Sequence, residues 1–220
     1  MKISTLLLVI ENVCLLSWQA CAQGSFLNLN FEAANVSGYS PGDAIPSDLA
    51  FPGWTTSQYV RYDAFPLGSP AVSIFDNIPG TGGSSLQGQY SAYLFDANGV
   101  TVSISQTGNV PDNAATLLLD VFGGNGGFSV SLNGQTLSLT PLFPASGYTI
   151  YGADISAFAG QNATLNLLVP PFPSTSNPNN VEFDDIRFST FPVPEPGVAS
   201  LSALGAMFHV WRAWRKPLRS

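Results

Sequence analysis

Phe128-Ser129-Val130-Ser131-Leu132-Asn133-Gly134-Gln135-Thr136-Leu137-Ser138-Leu139 reads as a β-hairpin, and much of the chain repeats its pattern. Phe128, Val130 and Leu132 alternate with Ser129 and Ser131, which gives one apolar face and one hydroxylated face. Asn133-Gly134 supplies two residues that accept positive φ, as a two-residue turn between twisted strands requires. Leu137 and Leu139 then alternate with Thr136 and Ser138. The same period of two recurs at Val100, Val102 and Ile104, at Ala115, Leu117, Leu119 and Val121, and at Ala163, Leu165, Leu167 and Val169. Further strands are expected over 26–31, 71–76, 90–96 and 181–188. Residues 154–160 suggest one helical turn, with Asp154 as N-cap and Gly160 as stop. The segment 36–62, with Pro41, Pro46 and Pro52, reads as a loop region and the expected rim of any binding site. Short strands separated by Gly, Pro, Ser and Asn predict an all-β fold, an antiparallel β-sandwich.

Both ends of the 220-residue chain differ from this body. Lys2, the apolar run 3–16 and the small-residue site Ala20-Cys21-Ala22 predict a signal peptide over 1–22, forming an N-terminal signal helix. Trimming it, and the tail from 192 onward, leaves 23–191 as one domain, long enough to bury a substantial core. Both cysteines, Cys14 and Cys21, lie in the signal, and the only histidine, His209, lies in the tail. The body therefore has no Ser-His or Cys-His nucleophile and no His-ligated zinc. Twelve acids face two cations in the body, Arg61 and Arg187, and there is no lysine. Such a surface repels phosphate backbones, so no nucleic acid is expected as a partner. For catalysis only carboxylate pairs remain, as in glycosidases, and nothing sets two of Asp43, Asp48, Asp63, Asp76 and Asp96 across a sugar. Most of these five read as turn and solvent residues, and the chain as no enzyme.

The tail has three parts. Val193-Pro194-Glu195-Pro196-Gly197 is followed by an apolar run from 198 and then by Arg212, Arg215, Lys216 and Arg219. Prolines prevent a helix from extending back into the domain, while the residues from 198 permit one. A hydrophobic helix over about 198–214 would reach the short end of a membrane span, with the basic cluster as stop-transfer signal. This order resembles the PEP-CTERM sorting signal of bacterial exported proteins. The resemblance implies an exosortase-type sorting enzyme and the secretion machinery as partners. It also implies membrane attachment by the 192–220 segment during sorting, then a cell-surface or extracellular-matrix location.

Motifs in the body also follow a recognisable order. Asn28-Leu29-Asn30-Phe31-Glu32 opens it, and Pro52-Gly53-Trp54 and Gly88-Gln89-Tyr90-Ser91-Ala92 follow. Ile104-Ser105-Gln106 and Asp154-Ile155-Ser156-Ala157-Phe158 come next, and Phe183-Asp184-Asp185-Ile186 closes the body. This resembles the jelly-roll carbohydrate-binding modules of the galactose-binding-like superfamily. The resemblance implies a jelly roll and a structural calcium ion held by Glu32 with Asp184 or Asp185, where the bland reading is solvated acids at strand ends. Parity along 181–188 adds a further expectation. Val181 and Phe183 share one face, Ile186 and Phe188 the other, and a bulge at Asp184-Asp185 would return all four to the core.

Trp54, Tyr59, Arg61 and Tyr62 are the candidate glycan contacts, since sugar rings stack on aromatic planes; for Trp54 the alternative is a place in the core. Together these features point to an exported envelope or matrix protein, non-catalytic, that binds extracellular polysaccharide. Two alternatives are a purely structural envelope protein and a carbohydrate-active enzyme. Inward packing of the aromatics would favour the first, and a cleft with two facing carboxylates the second.

Overall fold

The computed structural model describes residues 25–65, 69–78, 83–97, 99–171 and 179–193. The signal peptide 1–22, Pro194, Glu195 and Pro196 of the sorting motif, the 198–214 segment, and Arg212, Arg215, Lys216 and Arg219 lie outside the described residues. Among those described, no helix is long and apolar enough to cross a membrane.

After turns over 25–43 come β1 (Ala44–Ile45), the one-turn helix α1 (Ser47–Ala50), β2 (Thr55–Thr56) and β3 (Val60–Tyr62). Longer strands follow as β4 (Ala71–Asp76), β5 (Tyr90–Phe95), β6 (Val102–Asn109) and β7 (Thr116–Gly123). The hairpin forms β8 (Ser129–Leu132) and β9 (Gln135–Thr136). β10 (Thr140–Pro144), β11 (Thr149–Asp154), β12 (Asn162–Val169) and β13 (Asn180–Ser189) complete the chain. They form an 8-stranded sheet in the order β1-β3-β4-β5-β13-β7-β11-β10 and a 5-stranded sheet in the order β2-β6-β12-β8-β9. From β5 to β13 the chain alternates between the sheets, pairing β6 with β12 and β7 with both β11 and β13. That wrapping closes a β-sandwich in the manner of a jelly roll.

The period-two stripes supply the core. Leu117, Leu119 and Val121 of β7 meet Ile104 of β6, Leu165 and Leu167 of β12, and Val130 and Leu132 of β8 in one buried cluster. The hairpin turn is as expected: Asn133 has φ 50° and Gly134 φ 79°, and Leu132 pairs with Gln135. The turn at 154–160 is a short 3-10 helix, Ser156–Phe158, whose Ser156 N–H donates to Asp154 Oδ1 at 2.9 Å.

Four local expectations change. Residues 26–31 are not a strand, because Asn28 and Phe31 take positive φ of 50° and 58° and Asn28 Oδ1 accepts the Ala33 N–H at 2.8 Å. That local side-chain bond competes with a strand ladder, yet Phe26, Leu29 and Phe31 still enter the core. The 36–62 loop contains β1, α1, β2 and β3. Val100 precedes β6 and is exposed. Asp63, Asp76 and Asp96 are buried rather than solvated, because each accepts a main-chain N–H: from Gly83, Ile78 and Val100 respectively.

The bulge in β13 matches its parity argument. Pairing with β7 shifts register between Asp184 and Arg187, and Asp185 has φ 42°. Val181, Phe183, Ile186 and Phe188 accordingly all reach the core. Glu182 and Asp184 are left on the other face.

Candidate functional site

The outer face of the 8-stranded sheet carries the polar chemistry. Because Leu117, Leu119 and Val121 point inward, the alternation of β7 turns Asp120 and Phe122 outward. On β13 the same parity turns out Glu182, opposite Phe122, and Asp184, opposite Asp120. On β5, Ser91 and Tyr93 share this face, and Tyr93 pairs with Glu182. Next to them Phe75 and Tyr93 stack at 4.4 Å, with Phe65 edge-on to both, as a second apolar cluster outside the sandwich core.

Loop residues cover the acids. Gln87 donates its main-chain N–H to Asp184 Oδ2 at 2.8 Å, and its side-chain amide to Asp120 Oδ2 at 2.5 Å and to the Tyr148 hydroxyl at 2.9 Å. Tyr148 reaches this point from the turn between β10 and β11, where the Ala145 N–H donates to Tyr148 O and Gly147 has φ 93°. Arg187 pairs with Asp185, and its Nη1 lies 3.5 Å from Asp120 Oδ1, a buried oxygen with no hydrogen-bond partner. Glu182 accepts a hydrogen bond from the Ser91 hydroxyl.

Burial dominates the electrostatics. Glu182 is 4% exposed, and burial raises its carboxyl to about 7, against the pull of the Ser91 hydrogen bond. Asp184, 1% exposed, is pushed up to about 8 by burial, although two main-chain N–H groups oppose the shift. Asp120 is likewise raised, mainly by burial, with Gln87 and Arg187 acting the other way.

Beside this group a cleft of about 280 Å³ opens, lined by Ser84, Ser85, Leu86, Phe122, Ser146, Gly147, Tyr148 and Glu182. Phe122 is 53% exposed and offers a ring face at the opening. The cleft combines one carboxyl, one phenol, three serines and an aromatic plane, groups suited to the hydroxyls and the C–H face of a ligand.

The residues singled out in the sequence occupy other places. Trp54 is buried in the core, stacked near Phe31, and its Nε1–H donates to Asn28 O at 3.0 Å. Tyr62 is buried and donates its hydroxyl to Asp76 Oδ2. Neither ring has a face open to a sugar. Tyr59 is exposed, with the Arg61 guanidinium 5.7 Å from its ring centre. These four do not form one aromatic strip, because the alternation of β3 buries Val60 and Tyr62 and leaves Arg61 half-buried.

Glu32, Asp184 and Asp185 are likewise engaged separately. Glu32 Oε1 accepts the N–H groups of Gln89 and Tyr90 at 2.8 and 3.1 Å; a Cβ on Gly88 would come within 2.1 Å of that oxygen. Asp184 is held by the Gln87 and Asp185 N–H groups, and Asp185 by Arg187. Among the described residues no three acidic, histidine or cysteine side chains converge on one point. As arranged, a guanidinium stands against Asp185, while Glu32 and Asp184 each accept main-chain N–H groups. The first and last segments of the domain are joined through the main chain, where the Ile186 N–H donates to Leu29 O at 3.0 Å. Val193 of the sorting motif is described and half-buried.

Sequence reading missed Gln87, Asp120, Phe122, Tyr148 and Glu182. A signal was present for two of them: Asp120 interrupts the apolar run Leu117-Leu118-Leu119-Asp120-Val121-Phe122, and Glu182 stands between Val181 and Phe183. Gln87 and Tyr148 stand in loops, where no periodicity marks them.

No protein-family profile matches the chain, and no curated protein matches it. Solved structures with similar folds include the enzymatically active domain of tailspike protein 4 from bacteriophage CBA120, at 14% identity and a TM-score of 0.41. That alignment covers 76% of this chain and 21% of the tailspike chain, so the present chain spans about a fifth of its length. Another is the carbohydrate-binding module TmCBM61 in complex with β-1,4-galactotriose, at 14% identity and a TM-score of 0.44, covering 78% of this chain and 100% of the module.

Proposed function

We propose that the domain is a non-catalytic glycan-binding module of an exported cell-envelope or matrix protein. The observation that carries this reading is the cleft, where the exposed Phe122 ring stands beside Tyr148, three serines and Glu182. A pyranose laid on Phe122 would bury its C–H face, while its hydroxyls reach Tyr148, the serines and the Glu182 carboxyl. Affinity should be modest, with Kd on the order of 0.01–1 mM, since one ring and a few hydrogen bonds must offset the ordering of the ligand. Catalysis is not part of the reading. Among the described residues Glu182 is the carboxyl that lines the cleft, while Asp120 and Asp184 lie on the same sheet face, engaged by Gln87, rather than across from it. A glycan screen of the full-length protein is the test, and Phe122→Ala should weaken whatever binding it finds. Turnover of a bound polysaccharide would replace this reading with an enzymatic one.

The inward packing of Trp54 and Tyr62 favours the structural alternative at that end of the sandwich. A screen with no binder would extend it to the whole domain. Export and sorting form the second half of the proposal and rest on the sequence of both ends. The 1–22 segment directs secretion, and Val193-Pro194-Glu195-Pro196, the 198–214 segment and the basic tail direct exosortase-type handling at the membrane. Neutralising Arg212, Arg215, Lys216 and Arg219 should change the sorted fraction in a host with such an enzyme. Unchanged fractionation would count against it.

A further inference from the structure

The cations among the described residues are Arg61 and Arg187. Arg61 lies beside Tyr59 on β3, and Arg187 is committed to Asp185 and Asp120. Glu182 therefore lines the cleft as a carboxyl that is 96% buried (4% exposed) and has a serine hydroxyl, not a cation, as its partner. Asp184 follows two residues along the same strand, roughly 7 Å away by strand rise, with Asp120 directly opposite it. Among the described residues, the groups lining the cleft include the Glu182 carboxyl and no cation.

We infer that the glycan taken by this cleft carries free amino groups, as a hexosamine polymer does once its acetyl groups are removed. This rests on the glycan-binding reading above and gives it a substrate class. An ammonium placed against Glu182 supplies the counter-charge that the fold itself withholds. The ammonium draws the Glu182 carboxyl into its ionised form, and against a wall of low dielectric that pairing is stronger than it would be in water. A charge-assisted hydrogen bond of this kind is roughly twice as strong as a neutral one. An N-acetylated sugar offers an amide in the same place and gains only a neutral contact. A uronate or sulfate ester finds no counter-charge beside Glu182 and is disfavoured. The Phe122 face remains available to the ring of any of these sugars, so the amino group discriminates among them rather than creating the site.

Titration calorimetry on the full-length protein tests this with matched oligomers of glucosamine, N-acetylglucosamine and galactose, and with oligolysine as a plain polycation. The glucosamine oligomer should bind at least about tenfold more tightly than its N-acetylated counterpart at low salt, a difference of about 1.4 kcal/mol. Raising salt from about 20 mM to about 500 mM should shrink that preference several-fold, as screening shortens the reach of the carboxyls. Glu182→Gln, which keeps a side chain able to bond Ser91, should remove the preference and leave the melting temperature no lower. Phe122→Ala, at an exposed position, should weaken all sugars alike. Equal or reversed affinity of the amino and acetylated oligomers overturns the inference while leaving a glycan site in place. Oligolysine bound as tightly as the amino sugar also overturns it, by making the cleft a general cation surface. If no sugar binds, the glycan reading falls with it.

Discussion

Glu182 places a titrating proton inside the sheet face, so its chemistry bears on folding before any ligand arrives. Its carboxyl rises from 4.5 to about 7, and that of Asp184 from 3.8 to about 8, both chiefly through burial. Between these values the folded protein holds protons that the unfolded chain has released. Stability must then fall as pH rises through this window, since the unfolded state binds fewer protons. For Glu182 alone the loss between about pH 4.5 and pH 8 is on the order of 3 kcal/mol. Glu182→Gln should flatten the melting temperature against pH over that range, leaving the part due to Asp184. A slope unchanged by this substitution would assign the effect to other acids. Aromatic residues divide along similar lines. Trp54→Ala removes a buried ring and should cost roughly 3–5 kcal/mol of stability. Phe122→Ala, at an exposed position, should stay within about 0.5 kcal/mol while weakening sugar binding. Thermal melts of the two variants distinguish core from site.

Strand β13 shows how one extra residue serves both packing and chemistry. Without the bulge at Asp184-Asp185, Ile186 and Phe188 would leave the core, or Val181 and Phe183 would. With it, Glu182 and Asp184 share the outer face with Asp120 and Phe122, and the cleft acquires its carboxyl. Deleting Asp185 shifts every later side chain to the opposite face. The expected result is loss of a cooperative melt. Asp185→Gly, by contrast, suits the backbone at φ 42° and should keep the fold to within about 1 kcal/mol. A deletion variant that melts normally would mean that β13 re-registers. The loop 83–89 is the other decisive element: Asp63, Asp184 and Glu32 each accept one or more of its main-chain N–H groups or those that follow it. These acids, which in the sequence suggest metal ligands or solvated turns, hold the wall of the cleft.

Taken as one body, the domain joins its first and last segments through Leu29 O and Ile186 N–H, while Glu32 ties the first segment to the 89–90 main chain. A calcium-bound form would hold Glu32 together with Asp184 or Asp185, and in the second case Asp185 would have to leave Arg187. With Asp185 on Arg187, and with Glu32 and Asp184 on main-chain N–H groups, a chelator should leave the melting temperature unchanged. A drop that calcium but not sodium restores would show that these acids regroup around an ion. The strongly negative body also predicts that anionic polysaccharides bind weakly at low salt, where repulsion reaches furthest.

The strands were legible because a half-buried sheet writes its burial into the chain with a period of two. Leu117, Leu119 and Val121, or Leu165, Leu167 and Val169, needed no partner to be recognised as a core face. The hairpin was legible because positive φ at Asn133 and Gly134 is a local demand, and the β13 bulge because its parity fails locally. The cleft follows a different logic. Gln87, Asp120, Tyr148 and Glu182 come from a loop, two strands and a turn, and they meet through sheet order, which pairing between distant segments sets. Trp54 and Tyr62 are buried for the same reason: a ring's exposure depends on what is laid over it. Local sequence dictates which way a side chain faces; long-range packing dictates what it faces, and the site belongs to the second.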